Sequence, residues 1–137
     1  MTKEKIQSIL TRELESRPEI IFAYLFGSFV DGERFRDVDV AVYLRENYVT
    51  EDSLTYSIRL SLLLERLIGY QVDVITLNTS PDHLVHHVTK GEVIVNRDDA
   101  LRTSFITRAW SRYFDIQVKR RAYLQEVAAG EESDGPS

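Results

Sequence analysis

The sequence predicts an α+β domain, in which a small mixed β-sheet is flanked by helices and a long helix ends the chain. The first observation is the segment DVDVAVYL at 37–44, which alternates between valine and other residues as a strand does. The second is the helical spacing of apolar residues in 3–16 and 51–68. The third is the segment 98–128, which contains no glycine or proline and predicts one long helix.

The other segments complete this order of elements. IIFAYLF at 20–26 and QVDVITL at 71–77 are rich in β-forming residues and predict two more strands. Residues 81–90 predict a short helix, and 92–95 predict a short edge strand. Residues 28–36 are polar and predict a loop or turn with little regular structure. In the helix at 51–68, five residues predict the core-facing stripe: Leu54, Ile58, Leu62, Leu63 and Leu67.

Length and composition indicate one globular domain over 1–129 and a disordered acidic tail over 130–137. The chain has no cysteine, which excludes disulfides and thiolate metal sites. The net charge is −5, so the chain lacks the basic character of a typical duplex-binding module, and direct nucleic-acid binding is not expected. No apolar run approaches a membrane span, so we expect a cytoplasmic protein that does not enter a membrane.

Two carboxylates interrupt the best-defined strand. Asp37 and Asp39 are two residues apart, so their side chains share one face, with Cα atoms roughly 6–7 Å apart. Such a pair suits a hard divalent cation, and Mg²⁺ is commonly held by one or two carboxylates plus substrate phosphates. The solvated face of an edge strand is the alternative interpretation. Asp73, on another predicted strand, would be a ligand to a second metal ion or a general base, or else a surface residue.

A glycine–serine pair ends the first strand. Gly27 allows a phosphate to approach the backbone, and Ser28 with nearby amides can hold phosphate oxygens. An ordinary strand-ending turn would have the same composition. The position of the pair shortly before Asp37 and Asp39 favours the phosphate-binding interpretation.

The stretch LFGSFVDGERFRDVDVAVYL, with VDVITLN and GEVIVNRDDALR further on, resembles the polymerase-β-like nucleotidyltransferase superfamily. Its closest likeness is to the minimal nucleotidyltransferase (MNT) antitoxins of HEPN/MNT toxin–antitoxin pairs. The resemblance implies that Gly27 and Ser28 bind the ATP triphosphate and that Asp37 and Asp39 hold Mg²⁺ in a site with two ions. It also implies that Asp73 completes the catalytic and metal-binding set. It also implies transfer of AMP to a tyrosine of a cognate HEPN RNase toxin, which neutralises that toxin.

Two other functions stay open at this point. One is a small-molecule, aminoglycoside-like nucleotidyltransferase. The other is an antitoxin that acts by binding alone, which is motivated by the eight residues between Ser28 and Asp37, two fewer than in many MNT proteins.

Three further features bear on partners. The long helix carries more apolar residues than one stripe needs and is a candidate surface for the HEPN toxin, or else a core helix. A homo-oligomer is also compatible with the sequence. His83, His86 and His87 on the short helix favour a polar helix face over a metal site.

Overall fold

The computed structural model describes residues 1–48 and 51–133. The helices and strands follow one another as α1 (Lys3–Glu15), β1 (Ile20–Phe26), α2 (Ser28–Asp31), β2 (Asp37–Leu44), α3 (Ser53–Ile68), β3 (Gln71–Thr76), α4 (Asp82–Val88), β4 (Glu92–Asn96) and α5 (Asp99–Ser133), with 3-10 turns at Glu46–Tyr48 and Leu77–Thr79. The predicted strand and helix types are confirmed, and the strands β1 and β2 have the predicted bounds. None of the helices in the described residues is both long enough and apolar enough to cross a membrane.

The four strands form one mixed sheet in the order β3-β2-β1-β4. β1 is antiparallel to both β2 and β4, whereas β2 and β3 are parallel and are connected through α3. β4 is an edge strand, as the sequence predicted. The fold class is therefore the predicted α+β arrangement.

Helices cover both faces of this sheet. On one face α1 and α3 pack on the valines of β2, through Leu10, Leu64 and their neighbours. On the other face α4 and α5 pack on Phe22, Tyr24 and Ala41. The acidic start of β2 thus belongs to a face that becomes apolar and covered further along the same strand.

The predicted core stripe of α3 is wrong. Leu54, Ile58, Leu62 and Leu67 are 70%, 53%, 56% and 42% exposed, and Leu63 is only partly buried. The buried side of α3 is formed instead by Tyr56, Ser57, Leu60, Leu64 and Ile68. The segment carries apolar residues on more than one helical face, so periodicity alone did not determine which face packs on the sheet.

Two segments contain more helix than the sequence indicated. The predicted loop 28–36 begins with the single helical turn α2, and the buried ring of Phe29 lies 4.8 Å from that of Phe35. The long helix α5 continues past 129 to Ser133, and the rest of the expected tail, 134–137, lies outside the described residues.

Candidate active site

Strand register brings the three aspartates together. Asp37 and Asp39 lie on one face of β2, and Asp39 is directly opposite Asp73 of the parallel strand β3. Adjacent strands are about 4.8 Å apart, so Asp39 and Asp73 are immediate neighbours on the same face. Asp37 and Asp39 are half-buried, whereas Asp73 is exposed and accepts a long hydrogen bond of 3.4 Å from the Gln71 side chain.

Asp39 is half-buried and has two other carboxylates nearby. Burial raises the pKa of the Asp39 carboxyl, and the nearby carboxylates of Asp73 and Asp37 raise it further. The positive charge that His87 can carry acts in the opposite direction and lowers the pKa of Asp39. A cation at this position would relieve the repulsion among the three carboxylates.

Gly27 forms the side of the site next to Asp39. It follows Phe26, which is the cross-strand partner of Asp39, and its φ of 77° with ψ of −156° is a conformation that is essentially restricted to glycine. A Cβ at position 27 would overlap the carboxylate oxygen Oδ2 of Asp39. The eight residues between Ser28 and Asp37, although fewer than in many MNT proteins, therefore allow the backbone of Gly27 to lie against Asp39.

Ser28 is exposed and begins α2. No side chain caps this helix start, and the first turn closes through the amides of Val30 and Asp31, which donate to the Gly27 carbonyl. The amides that begin a helix have no partner within it, so those of Ser28 and Phe29 are suited to donate hydrogen bonds to an anion. The loop thus presents hydrogen-bond donors beside a cluster of carboxylates.

His87 is a site residue that the sequence did not reveal. Its ring meets that of Phe26 edge-on at 5.8 Å, which places it over the end of β1 next to Asp39. His86 packs elsewhere, since its ring stacks on that of Tyr113 at 4.3 Å, and His83 is exposed, as His87 is. The sequence showed three histidines on one helix but not which of them faces the sheet.

The chemistry of the carboxylates fits a divalent metal that arrives with a nucleotide. Within residues 1–48 and 51–133, no three His, Asp or Glu side chains are already gathered closely enough to hold a metal ion. Mg²⁺ needs only one or two carboxylates when phosphates and water supply its other ligands. Asp37 and Asp39 can provide that pair, and Asp73 would have to turn toward them to share an ion.

Three comparisons place these features among known proteins. A family model described as "Polymerase beta, Nucleotidyltransferase" matches residues 4–100, which include the glycine–serine loop and all three aspartates. No curated protein matches the chain.

Several solved structures share the fold. The MNT antitoxin in complex with tri-AMPylated HEPN toxin of Shewanella oneidensis has a TM-score of 0.69 and 22% identity, over 93% of this chain and 99% of that one. A toxin–antitoxin structure with AMP-PNP has a TM-score of 0.68 and 25% identity, over 93% and 99% of the two chains. The MntA–HepT toxin–antitoxin pair gives 0.68 and 21%, over 91% and 98%.

The similarity to these toxin–antitoxin structures extends over more than nine tenths of the chain. The family match covers the segments that carry the site. The chain therefore belongs to the polymerase β nucleotidyltransferase family.

Proposed function

We propose that this protein is the antitoxin of a type VII-like toxin–antitoxin pair of the HEPN/MNT class. In this pair it transfers AMP from ATP to a tyrosine of its cognate HEPN RNase toxin. The observation that carries the proposal is the placement of Asp37, Asp39 and Asp73 on two adjacent strands beside Gly27. The full-length likeness to an MNT antitoxin that was solved with a tri-AMPylated toxin supports protein as the acceptor. The likeness to a toxin–antitoxin structure with AMP-PNP supports ATP as the donor.

In this proposal the site residues have distinct tasks. Gly27 and Ser28 bind the triphosphate through the loop backbone and the Ser28 hydroxyl. Asp37 and Asp39 hold Mg²⁺, and Asp73 acts as the base. The bound ions would supply positive charge against the phosphate oxygens and the leaving pyrophosphate.

The transfer itself is an in-line displacement. The tyrosine hydroxyl oxygen forms a bond to the α-phosphorus of ATP, and the bond from that phosphorus to the α,β-bridging oxygen breaks. Pyrophosphate leaves with the electron pair of the broken bond. The hydroxyl proton passes to the carboxylate of Asp73, which lies on the edge strand β3, next to the strand that carries Asp37 and Asp39.

The C-terminal half of α5 is the surface proposed to bind the toxin. Residues 118–130 are all exposed, and among them Val118, Tyr123 and Leu124 are 67%, 65% and 52% exposed. A groove of about 660 Å³ runs along the start of this half, between His86, Phe114 and Arg121. Exposed apolar side chains with arginine between them are typical of protein interfaces.

The test uses the HEPN-domain protein that this proposal expects to be encoded beside this chain. The two purified proteins are incubated with ATP and Mg²⁺, and the partner is examined by peptide mass spectrometry. We expect AMP on a tyrosine with the wild type and none with Asp39→Asn. The absence of AMP with both proteins contradicts the proposal, and full neutralisation in cells by an Asp37→Ala, Asp39→Ala double variant would establish binding alone instead.

A further inference from the structure

A groove opens beside the third aspartate, between α3 and the edge strand β3. It has a volume of about 480 Å³ and is lined by Ser57, Ile58, Ser61, Asp73, Ile75 and Thr79 among others. We call it the α3–β3 groove. Its rim on the α3 side carries Leu54 and Ile58, the two exposed apolar residues nearest the start of that helix.

We propose that the α3–β3 groove is the docking site for the acceptor-bearing segment of the partner protein, an uncharged segment whose apolar side chains lie on Leu54 and Ile58 and whose hydroxyl reaches Asp73. This proposal rests on the proposed function and assigns a place to its protein substrate.

The position of the groove in the sheet favours the acceptor over the nucleotide. Across the sheet the order of the site is Gly27 on the β1 side, then Asp37 and Asp39 on β2, then Asp73 on β3. The phosphates bind at the Gly27 end, so the attacking group approaches from the opposite end. The groove lies at that opposite end and includes Asp73 in its wall.

The lining points to the same occupant. Among the described residues that line the groove, Asp73 is the only charged one, and the others are hydroxyl-bearing or apolar. A triphosphate would find no cation here. Serine and threonine hydroxyls can form hydrogen bonds with a peptide, and Leu54 and Ile58 offer apolar contact.

The backbone of β3 excludes one mode of docking. The outward amide of Val72 donates to Glu65 Oε1 at 3.1 Å, and that of Val74 donates to Ser61 Oγ at 3.2 Å. Because these edge amides already have partners on α3, the segment cannot add to the sheet as a further strand along them. We therefore expect recognition through side chains.

The first test needs no enzymatic turnover. The chain contains no cysteine, so Ile58→Cys introduces a single thiol into the groove. We expect the neighbouring HEPN-domain protein to slow maleimide modification of this thiol about tenfold or more once gel filtration shows that the complex has formed. Leu67→Cys, on the same helix but outside the groove and 42% exposed, is the matched control and should react at an unchanged rate.

The outcomes separate this inference from the proposed function. Protection by AMP-PNP alone would mean that the nucleotide occupies the groove, and an intact complex without protection of Ile58→Cys would mean that the partner docks elsewhere. Either result overturns the inference and leaves AMP transfer possible. Failure of the two proteins to form any complex overturns both.

A second test uses turnover. Ile58→Asp places a charge in the groove, and we expect KM for the protein acceptor to rise about tenfold or more, with AMP-PNP binding unchanged. Leu67→Asp should leave KM unchanged. Unaltered KM with Ile58→Asp contradicts the inference.

Discussion

Gly27 lies against Asp39 so closely that a Cβ at position 27 would overlap Oδ2 of that carboxylate. Phe26, the residue before Gly27, is the cross-strand partner of Asp39. The end of β1 therefore sets both the backbone that is proposed to bind phosphate and the space available to Asp39, a proposed metal ligand. Gly27 therefore belongs to the proposed phosphate-binding loop and also contacts the carboxylate cluster.

Substitution Gly27→Ala should abolish AMP transfer, with a loss of at least about 100-fold. The added methyl group would displace the Asp39 carboxylate, and small misplacements of reacting groups cost this much. The backbone at Gly27 is also in a region that costs other residues of order 1–3 kcal/mol. Transfer rates and urea unfolding measure the two effects.

Gly69→Ala is the matched control. Gly69 also has a positive φ, of 76°, but a Cβ there meets nothing within 4 Å. We expect a loss of about 1 kcal/mol in the free energy of unfolding and full transfer activity. If both variants keep their activity once their stabilities are allowed for, contact with Asp39 is not what requires glycine at position 27.

Local periodicity in the sequence determined which parts of the site could be predicted. DVDVAVYL alternates strictly, so the sequence alone placed Asp37 and Asp39 on one face of β2, and the structure confirms that they share it. The direct pairing of Asp39 with Asp73 required the register of a parallel strand pair. That register depends on how α3 connects the two strands, which no local pattern specifies.

The sequence did not predict features that depend on tertiary packing, such as the buried face of α3. α3 carries apolar residues on several sides, so its periodicity allowed more than one buried face, and packing on β2 and β3 selected Leu60 and Leu64. For the same reason the sequence could not distinguish His87, which reaches Phe26, from His86, which stacks on α5. The turn α2 is too short to show a helical period.

Asp39→Asn should be more stable than the wild type at pH 7 without Mg²⁺, by less than about 1 kcal/mol because this carboxyl is only partly buried. The folded pKa of Asp39 lies above the unfolded value of 3.8, so the folded state binds the proton more tightly. The free energy of unfolding therefore falls as pH rises through the interval between these two pKa values. The advantage of Asp39→Asn should vanish below about pH 3.8, as urea unfolding across pH would show.

Asp52→Ala should change the free energy of unfolding at pH 7 in the opposite direction to Asp39→Asn. Asp52 caps α3 and accepts a hydrogen bond of 2.7 Å from the Thr55 amide, which lowers the pKa of its carboxyl. Removal of this carboxyl should destabilise the protein at pH 7. For Asp39 itself, equal stability of Asp39→Asn and the wild type at neutral pH would contradict the prediction. It would show that burial and the neighbouring carboxylates do not destabilise the ionised Asp39 side chain.

The three aspartates should separate into binding and reaction roles. We expect Asp37→Asn to weaken Mg²⁺-dependent AMP-PNP binding about tenfold or more, because it removes one of two proposed ligands. Asp73→Asn should keep that binding and lower kcat at least about 100-fold, because Asp73 is assigned to the acceptor side. Calorimetric titration and transfer kinetics measure the two effects, and equal loss of binding in both variants would contradict the division.

His87→Gln should lower transfer by less than about tenfold and leave stability almost unchanged, since His87 is exposed. The positive charge of His87 lowers the pKa of Asp39, so its removal raises that pKa. The acidic limb of the pH–rate profile should therefore move to higher pH. His83→Gln, on the same helix and also exposed, is the control, and identical profiles for both variants would exclude an electrostatic role for His87.

Deletion of residues 118–137 should leave the domain folded and weaken toxin binding. The first half of α5 is fixed to α4, since Trp110 Nε1 donates to Thr89 Oγ1 at 2.9 Å and Arg112 pairs with Asp82 at 2.9 Å. Residues 118–130 are exposed throughout, so we expect the free energy of unfolding to stay within about 0.5 kcal/mol. Affinity for the HEPN-domain partner, measured by titration, should fall about tenfold or more because exposed Val118 and Leu124 are lost with this segment. AMP-PNP binding is the internal control and should persist. If the shortened chain binds the partner as tightly as the full chain, the toxin contacts the sheet side of the molecule and the second half of α5 has another role.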